Sequence, residues 1–119
     1  MKKIWIVEDE EMIRELIVSA LKDEGLNIKT FPDSAAAKEE LKKELPPDIL
    51  LTDYTMPGEN GIELAKYFRD GFPETTVVLM SGNLELISKE RIKNAGIKKT
   101  LRKPFQLSEL YEVIEILTP

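Results

Sequence analysis

Two rhythms of apolar and polar residues alternate along the chain. Ile4-Trp5-Ile6-Val7, Ile49-Leu50-Leu51 and Val77-Val78-Leu79-Met80 are continuously apolar, as strands covered on both faces must be. Asn27 to Phe31 and Lys98 to Arg102 instead interleave polar residues, which suits strands at the edges of a sheet. Together these runs predict strands at about 3–8, 26–31, 48–53, 75–80 and 97–102.

Between the strands the period lengthens to that of a helix. Met12, Ile13, Leu16, Ile17, Ala20 and Leu21 make one apolar stripe, ended by Gly25. Pro32-Asp33-Ser34 opens a second helix through Ala35, Ala36, Ala37 and Leu41, and Pro46-Pro47 closes it. Asn60 with Glu63 has the form of a capping box ahead of Ile62, Leu64, Ala65 and Phe68, in a helix ending near Gly71. Leu84, Ile87, Ile92 and Ala95 predict a fourth helix stopped by Gly96, and Leu107, Leu110, Val113, Ile114 and Leu117 a fifth. Strands alternating with helices predict an α/β fold, a parallel sheet with crossover helices. With strands two and five at the edges, right-handed crossovers select the order 2-1-3-4-5. That is a single flavodoxin-like, doubly wound domain of five strands and five helices, its switch point lying between strands one and three.

Composition narrows the chemistry. A chain of 119 residues is expected to form one domain, 1–119. Its apolar runs are far shorter than the roughly 20 residues a bilayer span needs, so membrane insertion is not expected. Met-Lys-Lys followed by only four apolar residues is no secretory leader, which predicts a cytoplasmic protein. There is no cysteine and no histidine, which excludes disulfides, thiolate metal sites and imidazole catalysis. Any metal must be held by oxygen. The balance of 17 basic against 22 acidic residues, −5 in all, argues against direct nucleic-acid binding through phosphates. Lys98 and Lys99 are read as the solvated charges of a strand edge.

The informative residues stand where the apolar runs stop: Glu8 and Asp9, Asp53, Ser81 and Lys103. In an open α/β sheet these strand ends meet at the ligand crevice. Three carboxylates there repel one another, each pair by around 4 kcal/mol at about 4 Å and an effective dielectric near 20. A hard divalent cation offsets this, and Mg²⁺ favours one or two carboxylates with water and phosphate oxygens. Glu8, Asp9 and Asp53 therefore read as an Mg²⁺ site open to a phosphoryl group. Lys103 can place a point charge on phosphate and the Ser81 hydroxyl can donate to a phosphoryl oxygen. Asp53 is the candidate nucleophile, since carboxylates form aspartyl phosphates.

Val7-Glu8-Asp9-Glu10, Leu51-Thr52-Asp53-Tyr54-Thr55-Met56-Pro57-Gly58, Met80-Ser81-Gly82 and Arg102-Lys103-Pro104-Phe105 carry a resemblance. In order, spacing and strand context they resemble the receiver domain of two-component response regulators, over essentially the whole chain. The resemblance implies that Asp53 takes a phosphoryl group from a phosphohistidine on a sensor histidine kinase or histidine phosphotransfer protein. It implies that Asp9 binds Mg²⁺ directly and Glu8 largely through water, with the Thr55 carbonyl completing the protein ligands. Ser81 and Lys103 would bind phosphoryl oxygens, Ser81 moving toward them to begin a switch felt by an unknown downstream target. Lys103-Pro104 matches the family's cis peptide; a plain helix-start proline is the other reading. A helical partner would dock on the first helix, with Ile13 and Leu16 as contacts unless they belong to the core. Thr55 and Asn83, two positions past Asp53 and Ser81, would tune phosphoryl lifetime.

One residue departs from the family. Three positions before the lysine, receivers usually carry Tyr, Phe or His, which turns inward when the hydroxyl residue moves; here Thr100 stands. A small β-branched side chain cannot sweep that volume, so a smaller or differently routed change is expected. Such a switch is not an enzyme beyond its own phosphorylation and self-dephosphorylation. Two alternatives compete. Haloacid-dehalogenase-like phosphatases also use an aspartate after an apolar strand, Mg²⁺ and a lysine, but need a second acid where this chain has Thr55, and a cap. A pseudo-receiver would keep the fold as a binding module without phosphotransfer, yet here all three acids, the hydroxyl and the lysine are present.

Overall fold

The computed structural model describes residues 2–117. Five parallel strands, β1 (Lys3–Val7), β2 (Asn27–Phe31), β3 (Ile49–Asp53), β4 (Thr76–Ser81) and β5 (Ile97–Arg102), lie in the order β2-β1-β3-β4-β5. Helices α1 (Glu11–Leu21), α2 (Ser34–Glu40), α3 (Gly61–Gly71), α4 (Lys89–Asn94) and α5 (Leu107–Leu117) connect and follow them. The predicted architecture and strand order therefore stand, each strand within about a residue of its expected place. Among the described residues, no helix is long and apolar enough to cross a membrane.

Alternation along each strand divides the core between two faces. Trp5, Val7, Leu50, Val77 and Leu79 face α2, α3 and α4, packing on Ala37, Leu64, Ala65, Phe68 and Ala95. Ile4, Ile6, Ile49, Leu51, Val78 and Met80 face α1 and α5, packing on Ile17, Leu21, Leu110 and Ile114. β3 is buried throughout and β1 and β4 after their first residues, whereas β5 exposes Lys98, Lys99, Thr100 and Arg102. The β4–β5 register slips by a residue, pairing Val77 with Ile97 and Val78 with Lys99. A bulge of this kind, with lysines on it, blunts an open edge.

Two helices differ from the expectation. The fourth is not continuous: Leu84–Leu86 forms a single 3₁₀ turn, Ile87 is extended, and the α-helix starts only at Lys89. The apolar spacing explains this, because the gap of five from Ile87 to Ile92 fits no helical face, and Ser88 caps the new start by accepting from the Arg91 amide at 3.1 Å. In α1 the six-residue stripe is wider than the surface that receives it. Ile17 and Leu21 are buried, but Met12 and Leu16, one turn apart, are 82% and 51% exposed. The expected terminators do act, Gly96 adopting φ 80° just past α4.

The entry to α3 positions the end of β3. Asn60 and Glu63 form the reciprocal capping box, at 2.9 and 3.0 Å, and the Gly61 amide donates to the Tyr54 carbonyl at 2.8 Å. A Cβ on Gly61 would lie 2.4 Å from the Asp53 carbonyl oxygen and 2.8 Å from Leu79 Cδ1, so only glycine permits this approach. Gly61→Ala should therefore cost about 1–3 kcal/mol in urea unfolding, as overpacked sites do. Gly71→Ala, where a Cβ meets nothing within 4 Å, should be neutral or stabilise by up to about 1 kcal/mol through helix propensity. Equal effects of the two changes would contradict the close approach.

Candidate functional site

Every strand-end residue singled out in the sequence lies at the same edge of the sheet, because all five strands run parallel and β1 neighbours β3. An open crevice of about 250 Å³ there is lined by Asp9, Glu10, Asp53, Thr55, Gly82 and Lys103. Glu8, Asp9 and Asp53 each offer a carboxylate oxygen within 4.8 Å of the others. Asp9 and Thr55 are exposed while Asp53 is buried.

Glu8 lies deeper than a crevice ligand. It is fully buried, and its two oxygens are engaged: Oε1 accepts from the Lys103 ammonium at 2.7 Å and Oε2 from the Glu10 amide at 3.2 Å. Lys103 also reaches Asp53 Oδ1 at 3.4 Å, bridging the ends of β1 and β3 from beyond the end of β5. Its own amide donates to the Ser81 carbonyl at 2.9 Å, and the Lys103-Pro104 peptide is cis. Ser81 is buried beside the crevice, not on its wall, its Oγ accepting from the Asn83 amide at 3.0 Å. Beside Lys103, Ile13, Leu16, Pro104 and Phe105 line a small apolar hollow of about 120 Å³. Thr100 is exposed on β5 in a separate groove with Leu84, Val113 and Ile116.

The electrostatics follow from this packing. Burial pushes the Asp53 carboxyl above its ordinary range, with Lys103 opposing and Asp9 adding a smaller upward push. Burial likewise raises Glu8, against the Lys103 hydrogen bond. For Lys103 burial pulls down, but the hydrogen bonds and charges of Glu8 and Asp53 outweigh it and hold the ammonium protonated. Three carboxylates and one ammonium leave a formal charge of −2. An oxygen-only donor set with two uncompensated negative charges, at an open crevice, fits a hard divalent cation.

The response regulator receiver domain family matches residues 4–115. The chain belongs to this family. The receiver protein CpdR of Brucella abortus is 34% identical over 97% of this chain and 95% of its own length. The transcriptional regulator NtrC of Escherichia coli is 32% identical over 94% of this chain, which spans only 24% of that longer protein. Among solved structures, the Vibrio cholerae chemotaxis regulator CheY4 superposes with TM-score 0.89 at 25% identity over 98% of both chains. The Thermotoga maritima regulator TrrA, in complex with Mg²⁺-BeF, superposes with TM-score 0.87 at 28% identity, covering 98% of this chain and 99% of that one. Receiver domains are the phosphorylatable switches of two-component systems; they bind Mg²⁺ at an acidic pocket and interact with histidine kinases and downstream effectors. In this receiver the acidic group is Glu8, Asp9 and Asp53.

Sequence reasoning brought Asp9, Asp53, Thr55 and Lys103 to the crevice wall, but gave no role to Gly61 or to Arg14, whose Nη1 donates to the Glu8 carbonyl at 2.6 Å. A glycine at a helix start and an arginine in a helix carry no signal by themselves; each matters through an atom that only the fold brings near.

Mg²⁺ at about 100 times its Kd should stabilise the protein by about 2.7 kcal/mol, through binding to the native state. Asp9→Asn should remove most of that increment in a thermal melt. The pH dependence has a definite sign. Glu8 and Asp53 are raised in the folded state, so on acidification they protonate before ordinary carboxylates do. An Mg²⁺ ion at this acidic group would need their charged forms, so its affinity should fall as pH drops toward the ordinary carboxylate range. In metal-free protein the same two groups act oppositely, adding stability as pH falls through their raised pKa values. Calorimetric Mg²⁺ titrations at pH 7, 6 and 5 check this, and equal affinities would contradict it.

Proposed function

We propose that this receiver accepts a phosphoryl group on Asp53 from a partner phosphohistidine, and that residues 1–119 act as one phosphoacceptor unit. The observation supporting this most directly is the Lys103 ammonium between Glu8 and Asp53, at 2.7 and 3.4 Å, behind an open acidic crevice. Asp9 and Asp53 would hold Mg²⁺ together with the Thr55 carbonyl, and Glu8 would act on it through water. When bound, the ion supplies positive charge to the phosphoryl oxygens.

An Asp53 carboxylate oxygen attacks phosphorus as the nitrogen–phosphorus bond breaks, and the imidazole nitrogen keeps the electron pair and takes a proton from solvent. Burial makes the Asp53 carboxylate more basic and so a better nucleophile. Lys103 steadies the charge spread over the phosphoryl oxygens, as positioned cations do in phosphoryl transfer. The Ser81 hydroxyl gives up the Asn83 amide and turns to donate to a phosphoryl oxygen, which begins the switch. Water attacking phosphorus breaks the acyl-phosphate bond and restores the carboxylate, with Thr55 and Asn83 beside its approach. The apolar hollow of Ile13, Leu16 and Phe105 next to Lys103 suits docking of a helical phosphotransfer partner. Such a receiver would work in the cytoplasm with its kinase.

Incubation with Mg²⁺ and a small phosphoryl donor such as acetyl phosphate, followed by intact mass, tests the reading. One phosphoryl adduct is expected, absent from Asp53→Asn and lost over minutes to hours; no adduct on the wild type would overturn it. Steady phosphate release from varied monoesters would point to a phosphatase instead. Exposed Thr100 leads to a second expectation. Amide shifts with a phosphoryl mimic should stay within the crevice loops, and large shifts across α5 would contradict a route that bypasses this position.

A further inference from the structure

Asp9 is the exposed member of the group Glu8, Asp9 and Asp53, so the direction of its backbone decides where its oxygens point. It sits in a three-residue link, Glu8 to Glu10, between the end of β1 and the start of α1. One end is tied to the sheet, where the Glu8 amide donates to the Phe31 carbonyl at 3.0 Å. At the other end Glu10, at the N-cap, makes no side-chain cap hydrogen bond, and its amide donates to Glu8 Oε2 at a longer 3.2 Å. Arg14, one turn into α1, braces the link further. Its main-chain amide donates to the Glu10 carbonyl at 3.0 Å, and its Nη1 donates to the Glu8 carbonyl at 2.6 Å. Arg14 thus reaches the carbonyls on both sides of Asp9, sharing that of Glu10 with the Ile13 amide at 3.1 Å and reaching that of Glu8 with its side chain. The contact at Glu8 is charge-assisted and partly buried, a combination stronger than a neutral hydrogen bond.

We infer that Arg14 is a positioning residue for divalent-cation binding, fixing the Glu8–Glu10 link so that Asp9 faces the crevice. This rests on the reading of the crevice as an Mg²⁺-dependent phosphoacceptor site. Arg14 does not touch the ion; it acts through the Glu8 carbonyl. Its charge and its geometry pull Mg²⁺ affinity in opposite directions. A cation this close to a divalent site repels the ion, so removing the charge alone would tighten binding. Loosening the link would weaken it, as loss of groups that orient metal ligands commonly does by about 10-fold or more.

The experiment is calorimetric titration of the full chain with MgCl₂, comparing wild type, Arg14→Met and Arg14→Lys. Methionine keeps the apolar stem and removes donor and charge, while lysine keeps the charge and loses the planar fork. The expected result is an Mg²⁺ Kd raised roughly 10-fold in Arg14→Met, with partial recovery in Arg14→Lys. Amide exchange in the metal-free protein should quicken at Asp9 and Glu10 in Arg14→Met, with β3 and β4 unchanged. Unchanged or tighter binding in Arg14→Met would overturn the inference while leaving the crevice reading intact. A wild-type protein that binds no Mg²⁺ would overturn both. Should Arg14→Met fail to fold, Arg14→Lys decides alone: a Kd equal to wild type refutes positioning by the fork.

Discussion

Like charges held close in a partly buried place constrain the molecule more than any other interaction. Glu8, Asp9 and Asp53 arrive from two adjacent strands, and Lys103 comes from a position 95 residues beyond Glu8 to stand between two of them. A buried ion pair is a poor source of stability, since desolvating both partners offsets much of their attraction. Its value here is geometric. The ammonium holds Glu8 and Asp53 in a fixed relation while leaving Asp9 and one face of Asp53 toward solvent.

Strand order follows from the same requirement. Only when β1 and β3 are neighbours do the ends carrying Glu8, Asp9 and Asp53 meet, and only with β4 beside β3 does Ser81 come next to the end of β3. The hydrogen bond from the Lys103 amide to the Ser81 carbonyl then stitches the continuation of β5 to the end of β4. Sheet pairing and site assembly are one event, because the backbone bonds that order the strands also bring the charged groups together.

Much of this was legible in the sequence because the relevant signals are local and periodic. Continuous apolar runs mark the central strands, mixed runs mark the edges, and charged residues just after apolar ones mark the functional edge. What escaped depends on distances across the fold. The fourth helix was over-extended because Leu84 and Ile87 look helical with Ile92 and Ala95 until the gap of five is weighed against Ser88 as a cap. The stripe of α1 leaves open whether Leu16 belongs to the core or to a partner surface, because an apolar stripe does not reveal how much of its width the sheet will cover; Leu16 and Met12 lie outside the covered part. Adjacent in sequence, Glu8 and Asp9 differ fully in burial, Glu8 enclosed and Asp9 exposed, a difference that depends on what packs over the end of β1.

The close approach at Gly61 has a consequence for signalling. With the α3 entrance pressed against the Asp53 carbonyl and the Tyr54 amide bonded at 2.8 Å to the Met80 carbonyl, the main chain under the Asp53 side chain is an anvil. It has no room to recoil. Under the proposed phosphorylation, the force of a new bulky anion on the Asp53 side chain would therefore not be absorbed beneath it but delivered sideways, into Lys103, Ser81 and the loops that carry them.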